Sequence, residues 1–177
     1  MSVSRYRHTY YTPDDNVKGV LDPLPLSASL SVDVEIYGLT DLVLVMNLIE
    51  VAKRGVRVRV MNDRSQSCGK SDKAALAVLT GAGIPGIEVK IVESTHGRID
   101  HLKLMILDGD AGAMDDASSV LMGSYNFSDG AQLQDNVAIL TNDPGEVAQA
   151  MAKFDADWAQ NEARPEWQVQ PASPIAS

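Results

Sequence analysis

The sequence predicts an α/β fold in which a mixed, largely parallel β-sheet is flanked by helices on both faces. Between residues 31 and 92, segments that alternate apolar and polar residues take turns with longer helical runs, an order typical of parallel strand pairing. The chain has 177 residues, 45% of them hydrophobic, which is enough for a sizeable core. Residues 1–160 are predicted to form one domain, and residues 161–177 a loose tail with three prolines.

Three segments of the first half alternate apolar and polar residues and are predicted to be strands: residues 31–38, 56–61 and 87–92. Two helices are predicted between them, over residues 42–54 and 72–80. Thr40 or Asp41 is expected to cap the first helix, and Ser71 to cap the second.

The second half has shorter apolar runs. Residues 101–108 and 119–123 are joined by a loop rich in Gly, Ala and Asp, and residues 137–141 form another predicted strand. A last helix is predicted from Pro144 to about Gln160, since proline is favoured in a first helical turn. Apolar residues recur along this helix at helical spacing and are expected to face the core: Val147, Ala148, Met151, Phe154 and Trp158.

The composition argues against several classes of protein. The single cysteine, Cys68, excludes an internal disulfide and fits a reducing compartment. No uncharged apolar stretch is long enough to cross a bilayer, and the first twenty residues lack the apolar core of a signal peptide. We therefore expect an acidic, cytoplasmic protein without a membrane span.

The net charge of −9 argues against a polyanionic partner, but the charge is unevenly distributed. Residues 1–52 carry a net charge of −4, residues 53–103 carry +5, and residues 104–177 carry −10. The basic segment, residues 53–103, makes the composition compatible with a nucleic-acid partner.

Two short strands carry side chains suited to binding phosphate. His101 and Lys103 are two residues apart, as are Ser124 and Asn126, so each pair projects from one face of its strand. If the strands are neighbours, an imidazole, an ammonium, a hydroxyl and a carboxamide meet at one spot. Lysine and asparagine bind phosphate oxygens, and histidine serves as a nucleophile or proton carrier near neutral pH. Asp108 has odd spacing from Lys103, so we expect it to face away and hold the architecture.

Each of these features is common by itself, but their combination is not. The series His101-x-Lys103, four residues, Asp108, and then Gly123-Ser124-x-Asn126 resembles the motif of the phospholipase D superfamily. The similarity spans roughly residues 6–160 and includes the strand at 31–40, the passage at 52–60, Asp135-Asn136 and the helix that ends near Trp158.

Three features depart from the family pattern. Fourteen residues, 109–122, separate Asp108 from Gly123, where the family usually has far fewer. Asp135 replaces the more common glutamate and follows a loop that is shorter than usual. Pro23 and Pro25 fall where related proteins have a smoother first helix, which proline disfavours.

The resemblance implies a homodimer, because relatives with two motif copies build one site from both and this chain has one copy. The residues to which the resemblance assigns a catalytic role are His101, Lys103, Asp108, Ser124, Asn126 and Asp135. One His101 would attack phosphorus and form a phosphohistidine, while the second would protonate the leaving oxygen. Lys103 and Asn126 would stabilise the phosphate oxygens, Ser124 would help to bind the phosphate, and Asp135 would orient His101. No metal or cofactor is implied.

Among substrates, the resemblance favours nucleic acid, DNA more than RNA, and therefore an endonuclease. The basic segment offers side chains for a groove that follows phosphates: Arg57, Arg59, Arg64, Lys70, Lys73, Arg98 and Lys103. The predicted substrate contacts are Lys103, Asn126, Arg98, His96 and Arg64. A phospholipid-acting hydrolase or phosphatidyl transferase is an alternative, although the sequence has no amphipathic basic helix. A non-catalytic nucleic-acid-binding module of the same fold is a further alternative.

Overall fold

A computed structural model describes residues 4–67, 69–92, 99–109 and 117–161 of the chain. Seven strands within these residues form one sheet: β1 (Arg7–Thr12), β2 (Ser31–Ile36), β3 (Arg57–Asp63), β4 (Ile87–Val92), β5 (Lys103–Leu107), β6 (Ser119–Gly123) and β7 (Asn136–Thr141). Their order across the sheet is β1-β7-β6-β5-β2-β3-β4.

The sheet is mixed, as predicted, but it is less parallel than predicted. β2, β3 and β4 run parallel to one another, whereas the other four pairs of described strands are antiparallel. The difference arises in the second half of the chain, where the described residues contain no α-helix between β5 and β6 or between β6 and β7. Antiparallel neighbours need only such direct connections, while a parallel pair requires a crossover.

Helices cover both faces of the sheet, which confirms the α/β class. They are α1 (Val17–Leu21), α2 (Leu42–Lys53), α3 (Arg64–Ser67), α4 (Lys70–Gly81) and α5 (Pro144–Gln160), with 3₁₀ turns at Leu24–Ser27 and Asp129–Leu133. Apolar residues of α1, α2 and α4 pack in one core cluster with one face of the sheet. α5 packs in a second cluster on the opposite face.

The starts of the two central helices differ in how they are capped. Thr40 and Asp41 were the two predicted caps of α2, and it is the side chain of Asp41 that caps this helix. The prediction that Ser71 caps α4 is wrong, because α4 begins directly after Gly69 and no side chain caps it. Asp72, in the first turn, instead accepts a hydrogen bond from the N–H of Leu39 at 2.9 Å. This bond ties α4 to the loop after β2.

The amino-terminal residues contain a strand that the sequence analysis missed. β1 lies at the sheet edge and is mostly exposed, so it lacks the apolar alternation of a core strand. Pro23 and Pro25 divide the next stretch into α1 and a 3₁₀ turn. Residues 162–177 of the predicted tail lie outside the described residues, as do residues 110–116 of the loop before β6. Among the helices that are described, none combines the length and the apolar character needed to cross a membrane.

Candidate active site

The topology brings the ends of several strands to one edge of the sheet. β5 lies between β2 and β6 and is antiparallel to both. Lys103, at the start of β5, is paired with Ile36 at the end of β2, and Leu104 is paired with Met122 near the end of β6. The start of β5 therefore meets the carboxyl ends of β2 and β6. β5 and β6, the strands next to the two pairs of motif residues, are adjacent in the sheet.

His101 and Lys103 lie at this edge, and both contact the aromatic ring of Tyr37. The ring of His101 is exposed, and its centroid lies 4.6 Å from that of Tyr37, with the planes tilted by 58°. The Nζ atom of Lys103 lies 4.9 Å from the Tyr37 centroid and donates a hydrogen bond to the His101 carbonyl oxygen at 2.8 Å. Lys103 is only 4% exposed, so the ammonium is held beneath the histidine.

Ser124 is fixed by the first residues of β7. Its Oγ donates to the Oδ1 of Asn136 at 3.1 Å and accepts from the N–H of Val137 at 3.0 Å. The preceding residue is required to be glycine, because a Cβ on Gly123 would lie 2.1 Å from the Val137 carbonyl oxygen. Asn136 is thus a site residue that the sequence analysis did not single out.

Asn126 has a buried oxygen available at the same edge. Its Oδ1 has no hydrogen-bond partner among the described residues and lies 3.6 Å from where a Cβ of Gly38 would be. The backbone around it is tightly held, since Phe127 donates to the Gly38 carbonyl oxygen at 3.1 Å and accepts from the N–H of Thr40 at 2.9 Å. The segments after β2 and β6 therefore hold Asn126 in one position.

Two carboxylates that were not predicted support the segment before β5. Asp63, buried at the end of β3, accepts from the N–H of Asp100 at 2.8 Å and from the N–H of Ser65 at 2.8 Å. Asp100 in turn accepts from the N–H of Leu102 at 3.2 Å. The position of Asp63 at the carboxyl end of a parallel strand is a signal that could have identified it from sequence.

Burial and nearby charges change the pKa of Lys103. Burial lowers the pKa of Lys103 to about 8, and the negative charges of Asp100 and Asp63 oppose that shift. The charge of this ammonium therefore depends on the two carboxylates. An anion such as phosphate that binds beside Lys103 would favour its charged form in the same way.

Asp108 lies at the opposite end of β5 from His101 and Lys103. Its carboxylate accepts hydrogen bonds from the N–H groups of Ser29, Leu30 and Ser31 at distances between 2.7 and 3.1 Å. The side chain is buried and all these partners are backbone groups of the loop into β2. The assignment of Asp108 to the catalytic set is therefore wrong, and the expectation that it holds the architecture matches its contacts.

Four predicted site residues remain, and two of them, Asp135 and Arg64, are among the described residues. Asp135 is exposed just before β7 and, within the described part of the chain, makes no hydrogen bond to His101. Arg64 begins α3 directly after β3, at the same edge of the sheet. His96 and Arg98 lie outside the described residues.

Two arginines of the basic segment are not available for a phosphate groove. Arg57 and Arg59 form ion pairs with Asp33 at 3.1 and 2.6 Å, and Arg59 also pairs with Asp155 at 3.1 Å. The guanidinium of Arg59 stacks over the ring of Phe154 at 4.7 Å. Strand alternation puts both arginines on the face that α5 covers, where Asp33 lies beside them, and the prediction for these two residues is wrong.

A cavity of about 340 Å³ adjoins His101 and Lys103 on the side of α5. Its apolar wall includes Leu104, Met122 and Ala150. Polar residues of α5 complete the lining: Glu146, Gln149 and Lys153. The cavity is large enough for a group attached to a phosphate held at the sheet edge. Among the described residues, no group of three or more His, Cys, Asp or Glu could hold a metal ion.

The family of this protein is shown by comparison with models of known protein families. The model of the family described as "Cardiolipin synthase, PLD-like domain" matches residues 26–158, which is most of the chain. The chain therefore belongs to the phospholipase D superfamily, as the spacing of the motif predicted. No curated protein matches the sequence at a significant level.

Solved structures share the fold over nearly the whole described chain. Nuc from Salmonella typhimurium, a phospholipase D family member, is 22% identical, with a TM-score of 0.77 over 91% of this chain and 99% of that chain. NucT from Helicobacter pylori is 19% identical, with a TM-score of 0.77 over 91% of this chain and 100% of that chain. TrmBL2, an archaeal chromatin protein with a novel mode of DNA binding, is 15% identical, with a TM-score of 0.62 over 92% of this chain and 55% of that chain.

Proposed function

We propose that this protein is a phosphodiesterase that cleaves nucleic acid, DNA rather than RNA, as a metal-independent endonuclease. The reaction proceeds through a phosphohistidine on His101 at a site shared by two subunits. The observation that supports this proposal best is the convergence of His101, Lys103 and Asn126 at one edge of the sheet.

These side chains supply what phosphodiester cleavage needs. The Lys103 ammonium is held by the His101 carbonyl oxygen and the Tyr37 ring, so it is oriented before a phosphate arrives. The backbone around Asn126 is held by hydrogen bonds of Phe127, and the Asn126 Nδ2 group can donate to a phosphate oxygen. The imidazole of His101 is exposed and can reach a phosphorus atom.

The chemistry takes two balanced steps. A ring nitrogen of one His101 attacks phosphorus, and the bond from phosphorus to the leaving sugar oxygen breaks. The His101 of a second subunit gives its proton to that oxygen. This second imidazole then takes a proton from water, whose oxygen attacks phosphorus and breaks the nitrogen–phosphorus bond. Lys103 and Asn126 bind the non-bridging oxygens throughout.

A two-fold dimer supplies the second histidine, because one symmetric patch then provides the same residues twice. Exposed apolar side chains beside the site support such an interface. Leu42 and Val43, at the start of α2, are 52% and 53% exposed, and Ile99, just before Asp100, is 51% exposed. Burial of these side chains against a second copy would remove apolar surface from water.

Phospholipid is the second candidate substrate. The observation that favours it is the partly apolar cavity beside His101, which includes Leu104, Met122 and Ala150. Against it, the remaining basic side chains near the sheet edge, such as Arg64, are better suited to a polyanion.

A nicking assay in excess chelator tests the proposal. We expect supercoiled plasmid to be nicked by the wild type and by His8→Ala, which alters an exposed histidine on β1, but not by His101→Ala. The rate should fall steeply with salt, since the contacts are to phosphates. Release of choline from short-chain phosphatidylcholine without nicking would support the phospholipid alternative. The absence of both reactions would support a binding module.

Mixed dimers test the shared site. Wild type and His101→Ala are unfolded together and refolded at varying ratios. If both histidines serve one site, activity falls with the square of the wild-type fraction. A linear fall, or full activity in a monomer, would contradict the shared site while leaving the nuclease proposal intact.

A further inference from the structure

Two carboxyl groups, that of the buried Glu35 and that of the half-buried Asp100, lie against each other beside the candidate active site. Glu35 is 1% exposed on β2, and its side chain is within hydrogen-bonding reach of that of Asp100. Each group has one buried oxygen without a hydrogen-bond partner in the described residues, the Oε2 of Glu35 and the Oδ2 of Asp100. Neither carboxyl group has a role in the reaction described above.

A single proton between the two carboxyl groups would give both of these oxygens a hydrogen-bond partner. Two carboxylates cannot donate to each other, so a hydrogen bond between them requires one to be protonated. A negative charge on the buried Glu35 would also be repelled by the adjacent negative charge of Asp100. Burial, together with the negative charge of Asp100, raises the pKa of Glu35 to about 8, and Lys153 opposes the shift.

The proton is placed on Glu35, whose burial disfavours the charged form of its carboxyl group. Val34 and Ile36 belong to the core cluster under α2 and α4, so Glu35 faces the opposite side, towards α5. Asp100 is half-buried and accepts a hydrogen bond from the N–H of Leu102 at 3.2 Å. The titratable and charged groups around the pair are Lys153 on α5, Lys103 on β5, Asp63 on β3, His101 beside Asp100, and the Asp33–Arg59 ion pair further along the same face.

The pair is connected to Lys103 through Asp100. The negative charge of Asp100 favours the ammonium form of Lys103 against the effect of burial. The same residue is anchored at both ends, since its N–H donates to Asp63 and its carboxylate accepts from Leu102. Any change in the charge of the pair therefore acts both on the segment that carries His101 and on the ammonium.

We propose that Glu35 and Asp100 share one proton and hold a single negative charge that keeps Lys103 protonated at the phosphate site. Glu35 is a positioning residue, because it acts through Asp100 and does not touch the substrate. This role rests on the proposed function only in that Lys103 binds the phosphate; the sharing of the proton does not depend on it.

Infrared spectroscopy tests the proton directly. At pH 7 we expect the absorption of a protonated carboxylic acid, shifted when glutamate alone carries carbon-13 and lost in Glu35→Gln. Glu88→Gln, an exposed glutamate on β4, should keep it. The absence of this absorption in the labelled wild type overturns the proposal, and that measurement needs no variant to fold.

The effect on Lys103 is measured by titration of carbon-13-labelled lysine side chains, with Lys103→Arg to identify the signal. Asp100→Asn should lower the pKa of Lys103 by about one unit, because it removes the opposing charge. Glu35→Gln replaces one neutral hydrogen-bond donor by another at pH values below 8, so it should change the pKa of Lys103 much less. An unchanged or raised pKa in Asp100→Asn overturns the proposal.

The pH dependence of cleavage separates this inference from the proposed function. If the protein is a nuclease, the alkaline decline of its rate moves to lower pH in Asp100→Asn by the same amount as the Lys103 titration. If neither protein cleaves DNA but both spectroscopic results are as expected, the proton-sharing pair stands and the proposed function fails.

Discussion

The two ends of β5 differ in how their polar groups are satisfied. At one end, the Asp108 carboxylate is buried and accepts hydrogen bonds from three successive backbone N–H groups. At the other end, Asn126 keeps a buried oxygen without a partner in the described residues, and burial lowers the pKa of Lys103. A fully satisfied charge stabilises a fold, while unsatisfied groups and a shifted pKa are typical of a site that awaits a ligand.

The largest expected effect is the loss of catalysis when the unsatisfied end is altered. His101→Ala and Lys103→Ala should each reduce the rate of plasmid nicking by at least about 10³-fold, because they remove the nucleophile and the oriented ammonium. Circular dichroism should show an unchanged fold, since His101 is exposed. A rate near that of the wild type in either variant would contradict the mechanism.

The opposite end should respond in stability instead. Asp108→Ala should lower the free energy of unfolding by about 3 kcal/mol, because it leaves buried N–H donors without their acceptor. Asp108→Asn should cost less, since asparagine keeps one acceptor oxygen and tolerates the φ of 53° at this position. Urea denaturation measures both. The difference between the ends of β5 would disappear if Asp108→Asn remained folded and lost catalysis as completely as His101→Ala.

The stability of Glu35→Gln should depend on pH in a defined direction. The pKa of Glu35 is raised from 4.5 to about 8, so between these values the folded wild type holds a proton that the unfolded chain has released. Wild-type stability therefore falls as pH rises through this window, relative to Glu35→Gln, by up to about 1.4 kcal/mol per pH unit. Urea denaturation from pH 4.5 to 8 measures the difference. A difference that does not vary with pH would show that Glu35 is not protonated in the folded protein.

The smallest expected effect concerns Asp135. Asp135→Asn should slow nicking by less than about 10²-fold, since the side chain is exposed and is not bonded to His101 within the described residues. Single-turnover rates of this variant and of His101→Ala provide the comparison. Equal losses in the two variants would make Asp135 as essential as the nucleophile.

The parts of the fold that the sequence predicted are those with strong periodicity. β2, α2, β3, β4 and α5 each have apolar residues at the spacing of a buried element, so their existence and type could be predicted. β1 could not, because an exposed edge strand needs no apolar alternation. The start of α4 was misplaced, since Asp72 bonds to the distant Leu39 and Gly69 precedes the helix without a side-chain cap.

The sequence by itself determined the family and the α/β class, and it predicted the side chains of the proposed chemistry, because the spacing of His101, Lys103, Ser124 and Asn126 is a local property of two short strands. Only the tertiary structure decided which charged side chains are paired with other side chains of the protein and which can bind a ligand. Arg57 and Arg59 are paired with Asp33 under α5, and Glu35 meets Asp100 although they are distant in the chain. The energy of a charge depends on its burial and its neighbours in space, and neither is a local property of the sequence.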